Sequence, residues 1–326
     1  MKVLLWVLGI LVFFAAALAA LILLQYSRMR KLHPKPAYKQ PQRKPAIAEW
    51  SDDHVTVSWI GHSTLYLNVL GKKIITDPVF SEKVGVSLGG PLVIGPKRHT
   101  AAALTVEEAG APDLILLSHA HLDHFDLPTL KRLQNPATSV VTAHNTSRLL
   151  KRMSFRRVLE LGGRERVELA DGLTITAVPV KHWGRRFPWN GDYGWTGYLI
   201  EYRGVRLFFA GDTAYTPSFA ELRQYGPIDI AFLPIGAYSP DSYQGAHCTP
   251  EQAWQMFLDS GAKHLVPIHW DTFVLSHEPV DEPLQRLLQI AGAEASRILI
   301  REHGESFTFS PAATHDQHEQ HEKTPC

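Results

Sequence analysis

Nine residues set the terms for the rest of the chain: Ser118-His119-Ala120-His121-Leu122-Asp123-His124-Phe125-Asp126, directly after the apolar run Leu114-Ile115-Leu116-Leu117. The pattern H-x-H-x-D-H puts three imidazoles and a carboxylate on the turn that leaves a buried strand. These are the ligands a borderline cation such as zinc accepts, and four in six residues can serve two neighbouring ions. A solvated turn, or a helix start capped by Asp, explains one or two of the four but not the set. Any partners should therefore stand at the ends of other strands.

Three residues meet that criterion. His182 follows the run Thr174–Val180, Asp212 follows Phe208-Phe209-Ala210-Gly211, and His269 closes Leu265-Val266-Pro267-Ile268. Taken singly, each reads more readily as a structural residue; taken with the turn, they do not. His144 and His264 also lie in or beside strands but join no cluster, and a hydrogen-bonded structural role is expected for both.

The N-terminus carries a different signal. Val3 to Leu24 contains no charge, and such a run is long enough, as a helix, to cross a hydrocarbon core of roughly 30 Å. A cleavable signal peptide is the rival, since Ala15 to Ala20 offers small residues, but the apolar run continues past them through Leu21-Ile22-Leu23-Leu24. An uncleaved membrane anchor over residues 1–27 is expected. Arg28, Arg30, Lys31, Lys35, Lys39, Arg43 and Lys44 follow it, which places the remainder on the cytoplasmic side of a single-pass inner-membrane protein. The basic, Pro-containing segment 28–47 reads either as a tether lying on anionic headgroups or as a solvated linker.

Charge and cysteine content then narrow the remaining classes. With 33 basic and 32 acidic residues there is no global field to recruit nucleic acid, and no nucleic-acid partner is expected. The two cysteines, Cys248 and Cys326, make a disulfide framework improbable. The apolar content of 45% is enough for a sizeable core.

From 48 to 310 strands and helices interleave. Val55–Trp59, Thr64–Val69 and Lys73–Thr76 read as a meander, and Phe80 to Thr100 as a long loop near the site. Pro128–Leu133 and Thr146–Arg152 read as helices flanking a strand at Ser139–Thr142. Gly197–Tyr202, Val205–Ala210, Asp229–Ile235 and His264–His269 read as strands. A helix between the last two is framed by an N-cap at Thr249, Pro250 at its first position and Gly261 at its end, and another covers Val280–Ile290. Such alternation predicts an α/β sandwich of two facing sheets with helices on both outer faces. The His-rich tail 311–326 is expected to be disordered.

These residues carry a resemblance. Ser118–His124 with His182, Gly211-Asp212-Thr213 and His269, in that order, resembles the metallo-β-lactamase fold superfamily. Further motifs resemble its branch of N-acylphosphatidylethanolamine-hydrolysing phospholipase D and bacterial relatives: Trp59-Ile60-Gly61-His62, Thr76-Asp77-Pro78-Val79-Phe80, Gly95-Pro96-Lys97-Arg98, His182-Trp183, Phe208–Thr213, Pro234–Tyr238, His269-Trp270-Asp271-Thr272-Phe273 and His303-Gly304-Glu305-Ser306. The resemblance implies a four-layer αββα sandwich and two zinc ions. His119, His121 and His182 would hold the first, Asp123, His124 and His269 the second, and Asp212 would bridge them.

The activity it implies is attack on a phosphodiester by a metal-bridging hydroxide, with Asp123 and Asp212 in the catalytic centre. Asp126 is expected to orient a ligand histidine. His247 and His303 match histidines near the site in that branch and, with His62, are candidates to stabilise the phosphate or donate a proton; a structural role is the alternative for each. Trp183, Phe187 and Trp189 could line an entrance for acyl chains. The expected partners are a phospholipid substrate and the membrane, with room for a homodimer. The competing functions are a lactonase or phosphodiesterase with a soluble substrate, and a non-catalytic zinc module on the membrane.

Overall fold

A computed structural model describes residues 2–311, apart from 88, 90, 91, 170, 171, 188 and 190. The tail predicted to be disordered falls almost entirely outside the described residues. Fifteen strands appear among those described: β1 (Val55–Gly61), β2 (Thr64–Val69), β3 (Lys72–Thr76), β4 (Val86–Ser87), β5 (Val93–Ile94), β6 (Leu114–Leu117), β7 (Ser139–Ala143), β8 (Arg157–Leu161), β9 (Arg166–Glu168), β10 (Thr174–Val178), β11 (Gly197–Tyr202), β12 (Val205–Phe209), β13 (Ile230–Pro234), β14 (His264–Ile268) and β15 (Ser306–Phe309). One sheet runs β15-β1-β2-β3-β6-β7-β8 and the other β14-β13-β12-β11-β10-β9, while β4 and β5 form a small hairpin in the predicted long loop.

The pleat explains the layering. Along the first sheet Val57, Trp59, Leu65, Leu67, Ile74, Leu114, Leu116 and Val141 join one core with the second sheet. Their neighbours Ile60, Tyr66, Ile75, Ile115, Leu117 and Val140 point the other way, into a second core. Side chains at alternate positions face opposite sides of a strand, so a run that is apolar throughout is one buried on both faces. Helices α2 (Val106–Ala109) and α3 (Leu127–Leu133) supply the outer cover of the first sheet through Val106, Leu130 and Leu133. Helices α4 (Pro250–Ser260) and α5 (Glu282–Ala291) cover the second through Trp254, Phe257 and Leu287. The predicted α/β sandwich is what forms.

The local signals behave as chemistry requires. Thr249 caps α4 in a reciprocal box with Gln252, Pro250 opens the helix and Gly261 ends it in the left-handed region. The predicted helix at Thr146–Arg152 is only a 3₁₀ turn, Ser147–Leu150, where Thr146 spends its hydroxyl on Ala143 O instead of capping. Strands β8, β9 and β15 were not predicted: β9 is three residues long, and β15 buries none of its side chains fully.

The N-terminal segment departs most from expectation. Helix α1 spans Lys2–Leu32, five residues beyond the predicted anchor. Among the described residues no helix is long and apolar enough to cross a membrane. The predicted span thus draws no support from the structure. Residues after α1 are neither a solvated linker nor a free tether. Lys39 N donates to His99 O at 2.7 Å and Ala101 N to Lys39 O at 3.0 Å, so this stretch lies along the domain as a strap. Lys39 Nζ pairs with Asp271 Oδ2 at 2.7 Å, Arg43 pairs with Glu302 and Lys44 with Glu108. Gly304 admits the strap: a Cβ there would fall 1.9 Å from Arg43 O, and its φ is +79°.

Candidate metal centre

The site lies where parallel strands end, the usual place for a site in an α/β sheet. In the first sheet β3 and β6 run parallel and deliver Asp77 and the Ser118–His124 turn; in the second, β12 and β14 run parallel to β13 and deliver Asp212 and His269. The two sheets meet here. Thr196 N donates to Ser118 O at 3.0 Å and Tyr198 Oη to Leu117 O at 2.8 Å. Gly211, at φ +61°, is required for this approach, since a Cβ would lie 2.5 Å from that of Ser118.

Two groups of ligand-type residues result. His119, His121, His182 and Asp212 offer atoms within 4.8 Å of one another, and so do His62, Asp123, His124 and His269. Asp212 joins them: its Oδ2 is 3.1 Å from His124 Nε2 and from His269 Nε2, 3.7 Å from His182 Nε2 and 3.9 Å from His119 Nε2. Every predicted metal residue is thus brought to one place, and His144 and His264 are not. His144 instead pairs with Glu165 at 3.1 Å.

The ring tautomers are set from outside the cluster. His182 Nδ1 donates to Ala246 O at 2.8 Å, which leaves Nε2 facing inward. Asp77 orients two ligands at once. Its Oδ2 accepts from His124 Nδ1 at 2.7 Å and from Ser118 Oγ at 2.5 Å, while Ser118 Oγ in turn meets His119 Nδ1 at 2.8 Å. Ser118 N donates to Asp77 Oδ1 at 2.7 Å, so a carboxylate with no solvent exposure is fully engaged. This corrects the expectation for Asp126, whose carboxylate accepts from Ser81 Oγ at 2.6 Å and Thr129 Oγ1 at 2.5 Å at the start of α3 and orients no ligand. The signal for Asp77 was available: it ends a predicted strand, the criterion that found Asp212.

His247 joins the site, with Nδ1 3.9 Å from Asp212 Oδ2. His62 does so through Asp123, Nε2 to Oδ2 at 3.0 Å. His303 does not: it stacks on Trp59 with ring centroids 4.0 Å apart, and its Nε2 meets Thr272 Oγ1 at 2.9 Å. It buttresses the loop after β14, which corrects its assignment to the catalytic centre. Trp183 sits over His121 at 4.0 Å between centroids and is half-exposed, and Phe187 stacks on the exposed Trp189. The buried Cys248 is a free thiol that burial pushes towards the protonated form.

Whether these residues suit a cation is decided by their unmet valence. His124 Nε2, His269 Nε2 and Asp212 Oδ1 are buried without a hydrogen-bond partner, at the point where the two groups converge. Buried polar atoms are nearly always paired, so inward-facing nitrogens and a carboxylate oxygen left over mark the place of a cation. The electrostatics agree. Burial holds His62 and His121 at about 3, and it also lowers His119 and His182, so all four are neutral donors. At His124 and His269 burial is outweighed by Asp212 and Asp123, which raise His269 to about 9. A cation would replace those protons.

The profile of the beta-lactamase superfamily domain matches residues 72–270. The chain belongs to this superfamily. An uncharacterized protein of Mycobacterium tuberculosis is 34% identical over 270 residues, 80% of this chain and 70% of the relative. The N-acyl-phosphatidylethanolamine-hydrolyzing phospholipase D of Saccharomyces cerevisiae, described as mitochondrial, is 31% identical over 244 residues, 72% of this chain and 51% of its own. Among solved structures, the isothiocyanate hydrolase from Delia radicum gut bacteria superposes with a TM-score of 0.63 at 21% identity, covering 79% of this chain and all of that one. The chain is accordingly a metal-dependent hydrolase of the metallo-β-lactamase superfamily, related to the N-acylphosphatidylethanolamine-hydrolysing branch.

Proposed function

We propose that this chain is a membrane-anchored phosphodiesterase, binding two zinc ions, that hydrolyses N-acylphosphatidylethanolamine-type phospholipids to phosphatidate and an N-acylethanolamine. The observation that carries it is the junction at Asp212, one carboxylate oxygen within 4 Å of a histidine nitrogen from both groups. In this reading His119, His121 and His182 hold one ion and Asp123, His124 and His269 the other, with Asp212 between. Two zinc ions held there would supply Lewis acidity and make water a competent nucleophile near neutral pH.

The chain's own groups do the rest. Asp77, acting directly on His124 and through Ser118 on His119, fixes one ligand in each group. His62 holds Asp123 from behind. Burial keeps His247 near a pKa of about 3, so at neutral pH its imidazole is uncharged and serves the phosphate as a hydrogen-bond donor, not as an acid. The substrate class draws support from the yeast relative, whose similarity covers most of this chain. Anchoring draws on the sequence alone: the uncharged run Val3–Leu24, followed by basic residues, would hold the site at the bilayer with the domain on the cytoplasmic side.

Zinc-loaded full-length protein incubated with N-acylphosphatidylethanolamine in mixed micelles, in water enriched in ¹⁸O, tests this reading. Mass spectrometry should find phosphatidate carrying one heavy oxygen and an unlabelled N-acylethanolamine. A fully metallated protein that releases neither product would overturn the assignment.

A further inference from the structure

A cavity lies away from the metal cluster, at the point where α1 passes into the strap. It encloses about 850 Å³ between Lys31 and Lys35 on the N-terminal side and Lys83 and Lys97 on the loop that follows β3, with Val274 and Leu275 against its base. Among the described residues no acidic side chain lines it. Glu82 stands nearby and pairs with Lys97 at 3.3 Å, and the buried Arg98 is already committed to the carbonyls of Val79 and Ser81. Lys31, Lys35 and Lys83 have no carboxylate partner among the described residues.

Three uncompensated ammonium groups around one cavity favour an anion, and a base of half-buried aliphatic side chains favours an apolar chain attached to it. Leu275 packs on the small cluster of Val79, Val84 and Phe273, so this base is fixed. The cavity opens beside α1, whose side chains Trp6, Phe13 and Leu24 are exposed. We infer that this cleft binds the phosphate of an anionic phospholipid, with lysines from the strap side and from the loop on the headgroup and an acyl chain leaving past Leu275 along α1.

The occupant would be an accessory lipid and not the substrate. It lies against the segment Val274–Leu275, immediately after the loop that carries His269, and touches no residue of the metal cluster. The inference rests on the proposed anchoring of α1 only for the supply of lipid, and not on the identity of the hydrolysed substrate.

The test is calorimetric titration of the full-length, metal-loaded protein in a neutral detergent with dihexanoyl phosphatidylglycerol, dihexanoyl phosphatidylcholine and inorganic phosphate. Each lysine at an anionic headgroup contributes enough for the glycerol lipid to bind at least about ten-fold more tightly than the choline lipid. Lys35→Glu and Lys83→Glu should each lower that affinity about ten-fold, with metal content and hydrolysis of bis(p-nitrophenyl) phosphate unchanged. Arg156→Glu, outside the cleft, should leave it intact. Equal affinity for the two lipids, or insensitivity to both lysine variants, would overturn the inference. So would inorganic phosphate binding as tightly as the glycerol lipid, which would make this a free-anion site. Loss of N-acylphosphatidylethanolamine hydrolysis with lipid binding preserved would count against the proposed reaction alone.

Discussion

The two halves of the metal centre are built from the same residue types yet differ in how the chain holds them. His119, His121 and His182 are kept neutral by burial and by one another, and their outward bonds go to Ser118 and to the carbonyl of Ala246. His124 and His269 face two carboxylates and are drawn towards the charged form. The second half also concentrates unusual backbone, with His62, His269 and Asp271 at φ of +54°, +61° and +47°. Non-glycine residues adopt this region only where their surroundings over-determine it. The first half is thus a preformed set of neutral donors, and the second a set whose imidazoles are drawn towards the charged form and whose protons a cation would replace.

Asp212 belongs to both halves, so its variant should have the largest effect. Asp212→Asn keeps the shape but removes the charge, and activity should fall by at least about a thousand-fold, with loss of metal at both positions. Elemental analysis beside turnover checks this; a variant with full metal and full turnover would refute the junction. Asp77 comes next, because it also reaches both halves, though from outside. Asp77→Asn should cost about 10- to 100-fold in metal affinity or activity. Ser118→Ala breaks only the branch to His119, so its smaller loss should appear at one metal position. Equal losses in the two variants would mean that Asp77 acts only through the first half.

A pH series on chelated protein separates the halves by sign. His121, held at about 3, is neutral when folded but protonates near its ordinary value when unfolded. Its contribution to stability is therefore lost as pH falls from about 6.5 towards 3. His269 is raised to about 9, so its contribution is complete below about 6.5 and disappears as pH climbs through 9. In thermal melts of metal-free protein, His121→Ala should flatten the acid side of the stability profile and His269→Ala the alkaline side. The same change in both profiles would show that the two halves do not differ in charge.

Much of the centre was legible because each ligand ends an apolar strand, and a strand end is a local signal. The H-x-H-x-D-H turn, His182, Asp212 and His269 could all be found that way, as could the caps of α4. What could not be read depends on contacts between distant parts of the chain. Asp126 and Asp77 are both acids near a strand end, but only the parallel pairing of β3 with β6 sets Asp77 beside Ser118. His303 looked like His247 until its ring was found against Trp59. The strap was hidden for the same reason. Its lysines read as a solvated run, because the carboxylate that receives Lys39 lies 232 residues further on.

That strap bears on the second half alone. Lys39 anchors Asp271, two residues beyond His269, while the side chains of the first half have no bond to the strap among the described residues. Gly304→Val would place a side chain where Arg43 O now sits and should displace the strap without touching any ligand. Overpacking and left-handed strain together cost about 1–3 kcal/mol, enough to lower the melting temperature by several degrees. Limited proteolysis within 33–46 should accelerate, and the second metal position should weaken several-fold while the first holds. Lys39→Ala should reproduce the change in metal affinity with a smaller loss of stability, since it removes one half-exposed ion pair and leaves the backbone bonds in place. If Gly304→Val speeds proteolysis but weakens both metal positions alike, the strap supports the whole domain, and the asymmetry between the two halves ends at His269.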